Sequence, residues 1–184
     1  ARFYRLGLSA TIPVKVIGGC QDVTTHLFNE QGNWIQAYPG GDGMEAAIDY
    51  TDPNILYQES QNGSMNRSND NGVSWTSIRP LSQGRGNWVT PYIIHPTNTE
   101  ILYCGYGIKL ASSEYKANVF QSIDRGTNWL PISNFFGVQG ISEKTIVALA
   151  VSPSDDKVIY TAFESGEWSE APDWNSSTGK MSKM

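Results

Sequence analysis

Short apolar and aromatic stretches alternate with clusters of Gly, Pro, Asn and Asp along the chain, and helix-period apolar patterns are hard to find. The pattern predicts strands at about Phe3–Ala10, Val14–Gly19, Thr24–Phe28 and Trp34–Ala37. A second set follows at Met44–Tyr50, Ile55–Glu59, Ser64–Ser68 and Ser74–Ile78, and a third at Trp88–Ile94, Ile101–Gly105, Ala117–Ser122 and Asn128–Ile132. A fourth begins with Thr145–Val151 and Val158–Phe163 and then fades. Turn signals such as Thr51-Asp52-Pro53-Asn54, Asn62-Gly63 and His95-Pro96-Thr97-Asn98 separate them.

The sets repeat. An apolar pair recurs as Val16-Ile17, Ile55-Leu56, Ile101-Leu102 and Val158-Ile159, and its second member advances in steps of 39, 46 and 57 residues. Trp34, Trp75 and Trp129 each follow a Gly-containing turn, in steps of 41 and 54. A drifting period of this size with four strands per unit is the pattern of β-propeller blades. Insertions at Ile108–Lys116 and Asn134–Lys144 account for the longer steps. The expected fold is therefore all-β, built of four-stranded antiparallel blades near 1–39, 40–82, 83–134 and 135–184, the last incomplete. About three and a half blades make an incomplete propeller, so the chain is expected to continue into further blades, with another turn motif just past Met184. Open blade faces would leave the isolated chain marginally stable or self-associating.

Two units share a tighter signature. Ser68-Asn69-Asp70-Asn71-Gly72-Val73-Ser74-Trp75 and Ser122-Ile123-Asp124-Arg125-Gly126-Thr127-Asn128-Trp129 both read S-x-D-x-G-x-x-W, between a third and a fourth strand. The Asp is placed to accept backbone N–H groups a few residues on, the Gly to take a positive φ, and the Ser to add a local bond. The Trp falls on the returning strand, where it buries a large face. The first unit has a shorter version, Phe28-Asn29-Glu30-Gln31-Gly32-Asn33-Trp34, with Glu in place of Asp, and a plainer hairpin is expected there.

This signature resembles the Asp-box, or BNR repeat, of sialidase-like and sortilin-like propellers. A second, broader resemblance rests on Ile17-Gly18-Gly19-Cys20-Gln21-Asp22 followed by Pro39-Gly40-Gly41-Asp42-Gly43-Met44-Glu45. It is similar to large secreted BNR-repeat proteins of Bacteroidetes, although Val23 stands where that family shows Asn. A related set includes xyloglucan-cleaving propellers and plant photosystem assembly factors. The resemblance implies a peripheral, structural role for Ser68, Asp70, Gly72, Trp75, Ser122, Asp124, Gly126 and Trp129. It also implies an extracellular or cell-surface setting.

Charge and composition narrow the chemistry. A net charge of -5, with 13 Lys+Arg against 18 Asp+Glu, offers no basic surface for nucleic acid. No apolar run approaches the length of a membrane-spanning helix. Cys20 and Cys104 are not in a C-x-x-C pair and read as buried or half-buried free thiols. No metal set and no cofactor motif is present: the Gly-rich segments lack the Lys-Ser/Thr of a phosphate loop, and there is no G-x-S-x-G elbow.

A glycosidase needs two carboxyl groups roughly 5–9.5 Å apart. Asp42, Asp22 and Glu45 are the catalytic candidates by position, although Asp42 in its Gly-rich loop also fits a purely local role. The arginines do not form a sialidase-type cluster ahead of the first box. Arg85, in a loop before a first strand, and the aromatics Trp88, Tyr92 and Tyr106 are candidates for a ligand-binding rim, while Trp168 and Trp174 lie in a polar tail. The leading expectation is a non-catalytic propeller segment of a secreted or surface protein, a scaffold or binding surface for polysaccharide or protein. The alternative is part of a xyloglucanase-like glycoside hydrolase, and a third is a sortilin-like peptide-binding propeller.

Overall fold

The computed structural model describes residues 2–82, 84–109, 115–135, 141 and 144–164. The residues from 165 onward, with Trp168, Trp174 and the rest of the fourth unit, lie outside the described residues. So do 110–114 and 136–140, within the two expected insertions. All regular structure among the described residues is strand. β1 (Phe3–Leu8), β2 (Val16–Cys20), β3 (Thr24–Phe28) and β4 (Trp34–Tyr38) form one antiparallel sheet in sequence order. β5 (Gly43–Ile48), β6 (Leu56–Ser60), β7 (Ser64–Ser68) and β8 (Thr76–Ser77) form the second. β9 (Tyr92–Ile94), β10 (Leu102–Lys109), β11 (Tyr115–Ser122) and β12 (Leu130–Pro131) form the third, and the hairpin β13 (Ile146–Val151)–β14 (Ile159–Phe163) begins a fourth.

First strands neighbour one another: β1 touches β5, β5 touches β9, and β9 touches β13. The sheets therefore pack face to face around a common axis, as blades of an incomplete propeller. The core lies in the slabs between blades. Ile17, Leu27, Ile48 and Leu56 fill the first, Tyr57, Met65, Leu102 and Phe120 the second, and Tyr103, Val119 and Ile146 the third. Both cysteines are buried free thiols.

Observed strands are shorter than predicted where turn chemistry claims their amides. Ser74 N–H donates to Asp70 and Asn128 N–H to Asp124, so β8 and β12 start late. β9 begins only at Tyr92 because Thr90 N–H is taken by the Glu59 carboxylate and Pro91 has no N–H to give. The outer face of blade 1 is open, and Phe3, Leu6, Leu8 and Trp34 are exposed on it.

Candidate functional site

Antiparallel order places successive connections at alternate ends of the blades. The first-to-second and third-to-fourth strand turns share one end, here the turn end. The second-to-third strand turns share the other, the loop end, with the links between blades.

At the turn end the two S-x-D-x-G-x-x-W segments have matching geometry. Ser68 Oγ donates to Asp70 Oδ1 at 2.7 Å and accepts the N–H of Asp70 at 3.2 Å and of Gly72 at 2.8 Å. Ser122 repeats all three distances with Asp124 and Gly126. Each Asp also receives a backbone N–H four residues on, and its second oxygen receives the Ser74 hydroxyl or the Asn128 amide. Both carboxyls lie below the usual range; the Ser74 hydroxyl and N–H hold Asp70 down to about 2. Gly72 and Gly126 take φ of 88° and 86°. Trp75 Nε1 donates to Ala37 O in the preceding blade at 2.9 Å, and Trp129 Nε1 to Ile78 O at 2.8 Å. These tryptophans thus tie each blade to the one before it.

In the first unit Asn29, not Glu30, organises the turn, its Oδ1 accepting Gln31 N–H and Asn33 N–H. Trp34 there packs on Phe3 and Phe28 of its own blade and is 42 % exposed. A broad hollow at this end holds Arg67 and Arg125, but its cations are engaged internally. Arg125 lies 3.6 Å from Asp49 and 3.7 Å from Glu100, and Arg67 Nη1 donates to the Arg125 carbonyl.

The loop end holds a cleft of about 240 Å³ where the second, third and fourth blades meet. Gly105, Tyr106 and Gly107 of β10 form its floor. Asn62 of the β6–β7 turn and Arg85, Asn87 and Trp88 of the β8–β9 loop form one wall, and Thr145 and Ile146 face them. Arg85 is fixed twice. Its backbone bridges Gly107 in both directions, and its Nε and Nη2 both donate to Asn62 Oδ1, at 3.0 and 2.7 Å. Trp88 is 48 % exposed. Of the sequence candidates, Arg85 and Trp88 come together on the wall.

Tyr106 and Tyr92 are not rim residues. Tyr106 is 1 % exposed, edge-on to Phe120 beneath the cleft, with Arg79 donating to its hydroxyl. Tyr92 is 3 % exposed in the core and donates to Glu45 O. Both sit on strands whose alternation points them inward, which a rim assignment from the aromatic type alone overlooks. The floor also dictates a glycine at position 63. Gly63 has φ of 80°, and a Cβ there would lie 2.3 Å from the Tyr106 ring.

The acids at this end are distributed differently from expectation. Asp22 and Asp42 do meet, but through the backbone: Asp42 Oδ1 accepts Asp22 N–H at 2.7 Å, joining the β2–β3 turn to the β4–β5 loop. Glu45, on first strand β5, is mostly buried and lies 3.4 Å from Arg5 Nε. Burial pushes its carboxyl up to about 7 against the pull of Arg5. Glu59, which sequence reasoning missed, is fully buried. Its oxygens accept Gly63 N–H at 2.9 Å, Thr90 N–H at 2.9 and 3.0 Å, and Glu45 N–H at 3.3 Å. Burial pushes it up to about 8, outweighing those hydrogen bonds. The available signal was a Glu ending the otherwise apolar-rich strand Ile55-Leu56-Tyr57-Gln58-Glu59, where a charge requires partners.

No family model matches the chain. No curated protein matches it either. Among solved structures, an ancestral GH74 enzyme superposes with a TM-score of 0.64 at 11 % identity, covering 88 % of this chain and 22 % of that one. The GH74 xyloglucanase from Xanthomonas campestris superposes with a TM-score of 0.56 at 17 % identity, covering 81 % of this chain and 25 % of that one. The chain thus shares a fold with these enzymes and spans a quarter or less of their length.

Proposed function

We propose that the chain is a carbohydrate-binding segment of an extracellular propeller protein and that glycan is held in the loop-end cleft. The observation that carries this reading is Trp88, half exposed beside an Arg85 already clamped on Asn62. An exposed indole offers an apolar plane for the C–H face of a pyranose, while guanidinium and amide groups at its edge donate to ring hydroxyls. Because Arg85 is held before any ligand arrives, little side-chain entropy is lost on binding. The described walls present donors and an aromatic plane rather than a pair of carboxyl groups, which favours recognition over hydrolysis here. The likeness in fold to a xyloglucanase makes xyloglucan oligosaccharides the first probe.

Calorimetric titration of the chain with xyloglucan oligosaccharides, β-glucan oligosaccharides and sialyllactose tests the reading. Binding of one class, weakened about tenfold or more in Trp88→Ala and in Arg85→Ala, is the expected result. Binding that neither substitution changes, or no binding of any class, would refute it.

A second reading has its own observation. Glu45 is mostly buried on β5, and burial pushes its carboxyl up to about 7, the direction that suits a general acid in glycoside hydrolysis. In that case the partner carboxylate belongs to another part of a longer protein. Release of reducing ends from xyloglucan by the longer protein, lost in its Glu45→Gln variant, would favour hydrolysis. No release alongside measurable binding would favour the first reading.

A further inference from the structure

Glu59 stands outside the cleft, yet every backbone group it binds leads into the wall or the strand behind it. Gly63 N–H follows Asn62 directly in the β6–β7 turn. Thr90 N–H closes the segment that carries Arg85, Asn87 and Trp88, and Thr90 Oγ1 in turn donates to Asn87 O at 2.9 Å. Glu45 N–H belongs to first strand β5. The two cleft segments also meet directly, Gly86 N–H donating to Asn62 O at 3.0 Å and Asn62 N–H to Trp88 O at 3.3 Å.

We propose that Glu59 is the positioning residue of the cleft: its carboxyl group holds the β6–β7 turn and the β8–β9 loop in the one spacing that sets Asn62, Arg85 and Trp88 around a ligand. The assignment rests on the cleft being the glycan site. Its physical basis is the unfavourable placement of Glu59. A fully buried carboxyl is costly, and an apolar residue would suit a second strand at this depth better. What the carboxyl provides is a bidentate acceptor that reaches turn, loop and strand at once. A backbone carbonyl in its place could satisfy one or two of these amides, and a Leu none. The Asn62 links to Gly86 and Trp88 join the two segments at one point, and Glu59 joins them at a second, through Gly63 and Thr90, while tying both to β5. Tyr106 Oη, shared between Gly63 O at 3.5 Å and Gly84 O at 3.2 Å, supports the same two segments from the floor.

The test combines two variants and two readouts on the full chain. Glu59→Leu removes every acceptor, and Glu59→Gln keeps one carbonyl oxygen. Amide hydrogen exchange at Glu45, Gly63 and Thr90, the amides that Glu59 accepts, reads the anchor whether or not sugar binds. Calorimetry with xyloglucan oligosaccharides reads the cleft. Exchange at those amides should accelerate about tenfold or more in Glu59→Leu and less in Glu59→Gln, with Gly72 and Gly126 unchanged at the turn end. Affinity should fall in the same order, with the Gln variant partly rescued. Should Glu59→Leu fail to fold, the Gln variant decides: its carbonyl oxygen can keep the Gly63 and Thr90 bonds that Oε1 accepts, but its NH2 faces Glu45 N–H, so wild-type exchange at Glu45 together with wild-type affinity would overturn the proposal. Loosened loops with wild-type affinity would also overturn it. If wild type binds no oligosaccharide while the exchange responds as stated, the glycan reading fails and the anchoring role of Glu59 stands.

Discussion

Ser122→Ala should destabilise the protein more than Ser68→Ala, although both remove the same hydroxyl from the same motif. Each hydroxyl makes three bonds, at 2.7, 3.2 and 2.8 Å, in both copies. In each case alanine strands a glycine N–H that had pointed at the Ser oxygen. The copies differ in where that amide lies: Gly126 is buried, whereas Gly72 is half-buried. A buried N–H with no replacement partner incurs its full desolvation cost, about 1–3 kcal/mol, while one that water can reach loses only the net bond, about 0.5–1.5 kcal/mol. The expected losses are thus about 2–3 kcal/mol for Ser122→Ala and about 1 kcal/mol for Ser68→Ala. In a chain of this size, that difference is a Tm gap of about 2–8 °C. Urea and thermal unfolding, followed by tryptophan fluorescence and circular dichroism together, would measure it. Equal losses, or a larger loss for Ser68→Ala, would show that amide burial does not set the worth of the motif.

Stability should also depend on pH in an unusual sense. Glu45 and Glu59, raised from 4.5 to about 7 and about 8, hold more protons folded than unfolded, so stability falls as pH climbs through that window. Asp49, Asp70 and Asp124 are lowered, and their contribution is lost as pH drops below 3.8. Tm should therefore peak between about pH 4 and 5 and decline toward about pH 9, with Glu59→Gln flattening the decline; a flat wild-type profile over that range would contradict the burial argument. Gly63→Ala, with its Cβ 2.3 Å from the Tyr106 ring and φ of 80°, should cost more than about 2 kcal/mol. Gly40→Ala, with φ of 102° and open space around it, should cost only its backbone strain, about 1 kcal/mol, so equal losses in unfolding assays would refute the steric account. Trp129→Phe should lose about 1 kcal/mol with the Ile78 bond, and Trp34→Phe, whose indole nitrogen has no protein partner among the described residues, almost nothing. A larger loss for Trp34→Phe would argue against the blade-tying role.

Strand positions were legible because alternation and turn residues repeat from unit to unit. The β2, β3, β6 and β7 segments fall within a residue or two of where the pattern places them. The ends of β8, β9 and β12 were not, since they depend on which amides a carboxylate captures across the fold. Thr90 and Glu59 are 31 residues apart, and no local pattern links them. The turn motif carried its own chemistry in sequence because Ser, Asp and Gly act within four residues of one another. The cleft wall was legible only in part. Arg85 and Trp88 stood out as a cation and an aromatic in a loop, but their clamp on Asn62 is a tertiary contact. Tyr92 and Tyr106 are core residues rather than rim residues because strand alternation, not residue type, sets their direction. In the first turn Glu30 aligns with the Asp of the other two by type, but Asn29 takes the accepting role.

The most direct test of the account is a crystal structure of the chain with a bound xyloglucan oligosaccharide. A pyranose ring should stack on the exposed face of Trp88, with its hydroxyls within hydrogen-bond reach of Arg85 or Asn87. Sugar bound only at the turn end, or along the blade faces with Trp88 left bare, would contradict it.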